Sequence, residues 1–339
     1  MRIDASLGTE GKHLRGAGET ARAAESLGFA GLWTSETRHD AFLPLALAAS
    51  ETEKIELGTA VAIAFSRSPM EVAQTAWDLQ DLSGGRFILG LGTQVKAHVK
   101  RRFSMPWDRP VARLREYILA LRAIWASFRS EGPLGFEGEF YRHTLMTPFF
   151  NPGSIEHPEI PVHIAGVNTR FAKLAGELCD GFHVHPFHSP EYVRGTVKPA
   201  IARGARRENR VPEEVELATA AFVITGHSGA EIDEQREKVR AQISFYASTP
   251  TYRPVLETHG WEKVGERLGK LAREKRWDEM PDIVTDEMLG TFTVEAAPAE
   301  LGEALKQRYE GLIYRVTLYE PFVPGERDEF WKGVVRSTR

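Results

Sequence analysis

The sequence predicts an α/β protein built as a (β/α)8 TIM barrel with insertions. Three observations lead there. Short apolar or β-branched runs alternate with helical periodicity eight times from Arg2 to Leu318, the pattern of parallel strands joined by helical crossovers. The run Phe87 to Leu91, FILGL, is almost wholly apolar, as a strand covered by helices on both faces must be. Strands three and four carry Gly-Thr toward their carboxyl ends, at 58–59 and 92–93, and small residues at the carboxyl ends of parallel strands let a ligand approach the backbone. An open doubly wound sheet is the competing arrangement. It is disfavoured because LGLGTQV lacks the third glycine of a dinucleotide fingerprint and because the eighth strand completes one unbroken alternation.

In chain order, Arg2 to Leu7 is a first strand. Leu14 to Leu27 is a helix with apolar or alanine positions at 14, 17, 21, 24 and 27, closed by Gly28. Phe29 to Thr34 is strand two, and Leu43 to Ser50 has helical character. Ile55 to about Ile63 is strand three. The helix after Pro69 repeats apolar residues at 70, 72, 73, 76, 77 and 79, with Pro69 suited to a first turn whose N–H groups lack partners anyway. Strand four leads through TQVKAHVKRRFSMPWDRP to an amphipathic helix over 111–128. Residues 131–160, rich in Gly, Pro and aromatics, read as an insertion carrying a small hairpin. Strand five is Ile160 to Ala165, with a helix from Thr169 to Leu178. Strand six is Gly181 to His185, with a helix from Pro190 to Arg206. Strand seven is Glu216 to Thr225, with a helix from Gly229 to Phe245. Residues 246–292 are too long for a loop and predict extra helices of the same domain. A helix from Ala299 to Tyr309 precedes strand eight, Tyr314 to Leu318, and GERDEFWKGVV is a final helix.

The 339 residues, 42% hydrophobic and 27% charged, suffice for a large core, and a single domain over 1–339 is expected. A net charge of −4 without a basic stripe disfavours nucleic acid and acidic membranes as partners. One cysteine cannot form an internal disulfide, and Cys179 within LAGELCDG reads as a packed thiol rather than a nucleophile. The opening MRIDASLGTEGK turns polar within a few residues and no apolar run approaches a membrane span, so a soluble cytoplasmic protein is expected. The run HVHPFH puts His183 and His185 on one side of a strand with His188 beyond. That spacing admits a metal, but without clustered acidic or cysteine partners it favours lining of a substrate cavity.

The stretches LGFAGLWTSETRHDAFLPLALAA, GTAVAIAFSRSPMEVAQTAWDLQDLSGGRFILGLGT and IPVHIAGVNTRFAKLAGELCDGFHVHPF, in this order and followed by the late eighth strand, resemble the bacterial-luciferase-like flavin and deazaflavin enzymes. The likeness covers nearly the whole chain and is strongest to the actinobacterial group that uses coenzyme F420, an 8-hydroxy-5-deazaflavin, in place of FMN. The resemblance implies a ring cofactor in the carboxyl-terminal mouth, a non-prolyl cis peptide at Ala60–Val61 behind the ring, and Gly92 and Thr93 beside it. It places the cofactor's phosphate at AGVNTRF, where Gly166 turns the chain, Asn168 or Thr169 caps, and the N–H groups of Val167 to Arg170 open a helix. It places acid/base and substrate-orienting groups in ETRHD, namely Glu36, His39 and Asp40. Lys96, Lys100, Arg101 and Arg102 are then candidates for the anionic oligoglutamate tail, or a solvated helix face.

The function so implied is a coenzyme F420-dependent oxidoreductase moving hydride between the deazaflavin C5 and a small organic substrate, acting as a homodimer. Two alternatives stand beside it: an FMN-dependent monooxygenase using reduced flavin and O2, and a non-catalytic flavin or F420 carrier. A pocket lined by Glu36, His39, His183 and His185 would argue against the carrier.

Overall fold

The structure, a computed structural model, describes residues 1–8 and 14–338. Eight parallel strands close into a barrel: β1 Arg2–Ser6, β2 Gly31–Thr34, β3 Glu56–Thr59, β4 Phe87–Gly92, β5 Val162–Gly166, β6 Gly181–Val184, β7 Glu216–Ile224 and β8 Arg315–Leu318. Closure comes from β1 pairing β8, with Ile3 level with Val316. Each strand is followed by helix, and the alternation read from the sequence is the alternation observed.

Helices α1 Ala17–Leu27, α2 Leu43–Ser50 and α3 Pro69–Leu82 cover β1 to β3. Ser68 caps α3 by accepting from the Glu71 N–H, and Gly28 ends α1 in the left-handed conformation that glycine adopts without penalty. The loop after β4 holds a short helix, α4 Lys96–Arg101, before the long α5 Pro110–Ser130. Next come α6 Thr169–Leu178, α7 Pro190–Tyr192 and α8 Lys198–Arg207. Where one helix over Pro190 to Arg206 is expected, α7 and α8 are joined by a π turn over Val193–Val197. Pro199 explains the break, since proline has no N–H to give the carbonyl one turn back and its ring crowds that carbonyl.

Residues 131–160 carry a hairpin, Phe136–Glu137 with Arg142–His143. Beyond β7 lie α9 Gly229–Ala247, α10 Arg253–Glu257, α11 Glu262–Arg273 and α12 Asp286–Phe292. A short strand, Thr293–Glu295, then pairs with the outer end of β7. Helices α13 Leu301–Tyr309 and α14 Asp328–Ser337 complete the wall. No helix among the described residues is long and apolar enough to cross a membrane.

Strand alternation sorts side chains to the two faces. Ala5, Leu32, Leu57, Leu89, Leu91, Ile164, Val184, Ala221 and Val316 point outward and are buried under the helices. The inward positions carry Asp4, Trp33, His163, His183 and Arg315, which interlock with glycines: a Cβ on Gly31 would lie 2.5 Å from the Arg315 guanidinium, one on Gly58 2.4 Å from the Trp33 ring, and one on Gly181 2.4 Å from the His163 ring. The lower interior is thus a packed polar plug.

Candidate functional site

Above that plug the interior changes character. Toward the carboxyl ends lie the inward residues Ser6, Ala165, Ala220 and Thr317, all small and all partly exposed, while the outward Ala5, Ile164, Ala221 and Val316 of the same strands are buried. They form the sides of a well. Its floor is Trp33, His163 and His183: the His183 ring meets Trp33 edge-on at 5.1 Å and lies 5.3 Å from His163. Trp33 is fixed by its indole N–H donating to Asp4 Oδ2 (2.8 Å) and by the Arg315 guanidinium 5.0 Å over its ring. Burial holds His183 down to about 3 and, with His183 and Arg315 nearby, drives His163 well below the ordinary histidine range, so both rings are neutral. Nε2 of His183 and Nδ1 of His163 are sealed without a hydrogen-bond partner.

The Ala60–Val61 peptide at the end of β3 is cis. Beyond it the chain re-enters the sheet at Ala62–Ile63, where Ala62 is level with Leu91 and Ile63 with Gly92. Gly58 is level with Ile88, so four residues of this chain span three of β4. Ala60 and Val61 are partly exposed at this break, and a Cβ on Gly92 would lie 2.5 Å from the Val61 side chain, so glycine there is what the break requires. Thr93 is partly exposed and donates to the Gln94 carbonyl (3.1 Å).

Glu36 and Asp40, from the loop after β2, converge on Arg67. The Arg67 guanidinium donates to Glu36 Oε2 (2.7 Å), to Glu36 Oε1 (2.8 Å) and to Asp40 Oδ2 (2.6 Å). Glu36 also accepts from the Ile63 N–H (2.7 Å), just past the cis bond, and Asp40 accepts from the N–H groups of Phe42 and Leu43 at the start of α2. Burial alone raises a carboxyl, but those two N–H donors and Arg67 outweigh it and hold Asp40 below its usual range. Burial likewise opposes Arg67, and the two carboxylates overcome it and raise the guanidinium. The two acids therefore serve as acceptors that lock β2, β3 and α2 together. His39 lies exposed on the same loop, and Arg102 at the end of α4 donates to the Thr37 carbonyl there. Lys96, Lys100, Arg101 and Arg102 are exposed along α4. Arg67 was not singled out in the sequence, although a lone cation within AFSRSP, directly after an apolar strand, is the signal that marks it.

In AGVNTRF, Asn168 caps α6: its side-chain oxygen accepts from the N–H groups of Arg170 (3.0 Å) and Phe171 (3.3 Å). Thr169 and Arg170 are exposed, and the Val167 carbonyl accepts from the Tyr192 hydroxyl (2.9 Å). Gly166 is demanded by packing, since a Cβ would lie 2.3 Å from that of Phe171.

The histidines of HVHPFH separate. His183 belongs to the floor, whereas His185 lies under Tyr246 and Tyr252, with ring centroids 4.6 and 4.5 Å away, and His188 donates through Nδ1 to the His185 carbonyl (2.8 Å). No group of three or more metal-ligating side chains occurs among the described residues. Cys179 is fully buried, and burial raises its thiol far above the usual range, which leaves it without thiolate character.

The family model described as luciferase-like monooxygenase matches residues 1–315. An uncharacterized protein of Mycobacterium tuberculosis is 44% identical over 316 residues, 93% of this chain and 92% of that one. A second protein of that organism, assigned provisionally as a coenzyme F420-dependent oxidoreductase, is 32% identical over 287 residues, 80% of this chain and 81% of its own. Among solved structures, the coenzyme F420-dependent tetrahydromethanopterin reductase of Methanopyrus kandleri superposes with a TM-score of 0.76 at 19% identity, covering 99% of this chain and 96% of that one. From the first strand to the eighth, the chain belongs to the luciferase-like monooxygenase family.

Proposed function

We propose that this protein is a coenzyme F420-dependent oxidoreductase, a cytoplasmic homodimer that moves hydride between the deazaflavin and a small organic substrate. The observation that carries the reading is the well of small, partly exposed side chains above the Trp33, His163 and His183 floor, at the barrel end where such folds hold their ligands. The residues present fit a flat conjugated ring: the sides are Ser, Ala and Thr, the floor is aromatic and neutral, and the floor's sealed nitrogens add no charge. The 32% identical relative supports F420 over FMN.

Ala60, Val61, Gly92 and Thr93 would hold the ring. Gly166 to Arg170 would hold the phosphate, through the Thr169 N–H, the first-turn donor of α6 that the Asn168 cap does not take. The exposed cations of α4 would meet the acidic tail. A bound deazaflavin supplies two-electron hydride chemistry without activating oxygen. Glu36 and Asp40, committed as acceptors to Arg67 and to backbone N–H groups, orient the loop, and His39 at the rim is the proton donor of the trio.

Fluorescence titration with F420 and with FMN tests this. Saturable binding of F420 and none of FMN is expected. The family's description as monooxygenases keeps one rival in view, and binding of FMN with oxygen consumption would replace the F420 reading.

A further inference from the structure

The side of the mouth over β6, β7 and β8 is unlike the rest. Three tyrosines meet there: Tyr319, just beyond β8, Tyr246 at the end of α9, and Tyr252, shortly after α9. The hydroxyls of Tyr246 and Tyr319 are 2.6 Å apart, and the Tyr252 hydroxyl is 3.0 Å from His185 Nε2. Phe222 packs against Tyr319 at 4.7 Å and Tyr252 against Tyr246 at 5.5 Å, so the hydroxyls sit in an aromatic frame.

The hydrogen-bond directions follow from one backbone contact. Nδ1 of His185 accepts from the Phe187 N–H (3.1 Å), so a neutral ring carries its single hydrogen on Nε2. Burial, with His188 close by, keeps that ring neutral by pulling it down to about 3. Nε2–H therefore donates to the Tyr252 oxygen, and the phenol still has its own O–H to give. In the Tyr246–Tyr319 pair one hydroxyl donates to the other, which leaves one O–H there as well. Burial, reinforced by Tyr319, pushes Tyr252 up to about 12, and burial with the Tyr319 hydrogen bond raises Tyr246 further, so both stay protonated. Among the described residues, the groups acting electrostatically on these two phenols are other tyrosines, with no carboxylate or guanidinium among them. A charged substrate would find no counter-ion among the described residues of this wall, whereas a neutral oxygen acceptor would find two donors.

We propose that Tyr252, oriented by His185, and the Tyr246–Tyr319 pair form a donor wall that binds the oxygen of an uncharged carbonyl or alcohol substrate. This names the substrate class and rests on the reading of the mouth as the reaction chamber.

The test is calorimetric titration of the F420-loaded protein with cyclohexanone, cyclohexanol and cyclohexanecarboxylate. The ketone and the alcohol should bind in preference to the carboxylate, and Tyr252→Phe should weaken both by about ten-fold with F420 affinity unchanged. His185→Asn should give part of the same loss, and the nitrogen-15 spectrum of the parent protein should show His185 protonated on Nε2. If Y252F binds the ketone as well as the parent does, or the carboxylate is preferred, or no neutral ligand binds, the proposal is overturned. Failure to load F420 overturns the cofactor reading alone, and the same titrations on the unloaded protein then decide the tyrosine wall.

Discussion

Four histidines, two of them buried and His183 and His185 partly buried, set the acid response of this protein residue by residue. His163, His183, His185 and His188 are all held below the ordinary value near 6.5, with His188 at about 4, and burial is the leading cause in each. The unfolded chain therefore takes up protons between about pH 6.5 and 4 that the folded chain refuses. Stability is fully present above the unfolded value and is lost as pH falls, at up to about 1.4 kcal/mol per pH unit for each histidine. Urea unfolding at pH 7.5, 6.0 and 5.0 should show a falling midpoint, and His188→Asn, which keeps a donor for the His185 carbonyl, should flatten the slope. A midpoint independent of pH over this range would refute the assignment. Glu36 gives a second expectation. Its side chain is 6% exposed and shares Arg67, itself 15% exposed, with Asp40. Glu36→Gln keeps the shape but removes the charge, and a cost of about 2 kcal/mol in urea unfolding is expected. If Glu36 were instead the proton donor of the reaction, the substitution would leave stability unchanged and affect only turnover.

At the level of elements, helix α6 is held in register by glycine rather than by bulk. A Cβ on Gly176 would lie 2.0 Å from the Ile201 carbonyl of α8, and one on Gly204 of α8 would lie 2.0 Å from the Lys173 carbonyl of α6. The two backbones cross where neither residue has a side chain, and any methyl there drives the helices apart. Gly176→Ala is expected to cost about 3 kcal/mol, an overpacking that no side-chain rotamer can relieve. Because α6 begins at the Asn168 cap, F420 affinity should fall with it, and a variant with parental stability in thermal unfolding would contradict the crossing geometry. The pairing also shows what a linear reading can and cannot reach. The amphipathic period of α6 and α8 is visible in the chain, and so is the cap at Asn168. That Gly176 and Gly204 face each other depends on the crossing of two helices, and the π turn ahead of α8 depends on how Pro199 is accommodated within an otherwise helical pattern.

For the whole molecule, the eight-fold alternation was readable because each strand and helix announces itself by local period. The cis bond at Ala60–Val61 came from likeness to relatives. What escaped was everything assembled across the barrel: Arg67 between Glu36 and Asp40, the tyrosines over His185, and the ionic floor. That floor spans the greatest distance in sequence. Arg315 of β8 donates from Nε to Asp4 Oδ2 (2.7 Å) and from Nη2 to Asp4 Oδ1 (2.9 Å) of β1, and it also bonds Glu56 of β3. Arg315 and Asp4 are each 1% exposed, and burial, which would deprotonate the guanidinium, is overcome by Asp4 and Glu56. Since β1 and β8 are the strands whose pairing closes the barrel, this ion pair acts at the seam. It also steadies Trp33, which gives its indole N–H to the same Asp4 and forms the floor of the well. Arg315→Met keeps most of the bulk but leaves Asp4 buried without a counter-charge, and a loss of about 3–5 kcal/mol is expected, a large share of the stability of an ordinary domain. Adding Asp4→Asn removes the stranded charge and should restore part of the loss, while the tryptophan emission of the double variant reports whether the floor has kept its packing. Equal stability of R315M and the parent in thermal unfolding would mean that backbone pairing alone closes the barrel. A double variant no better than the single would mean that the guanidinium acts by filling space beneath Trp33 rather than by balancing charge at the seam.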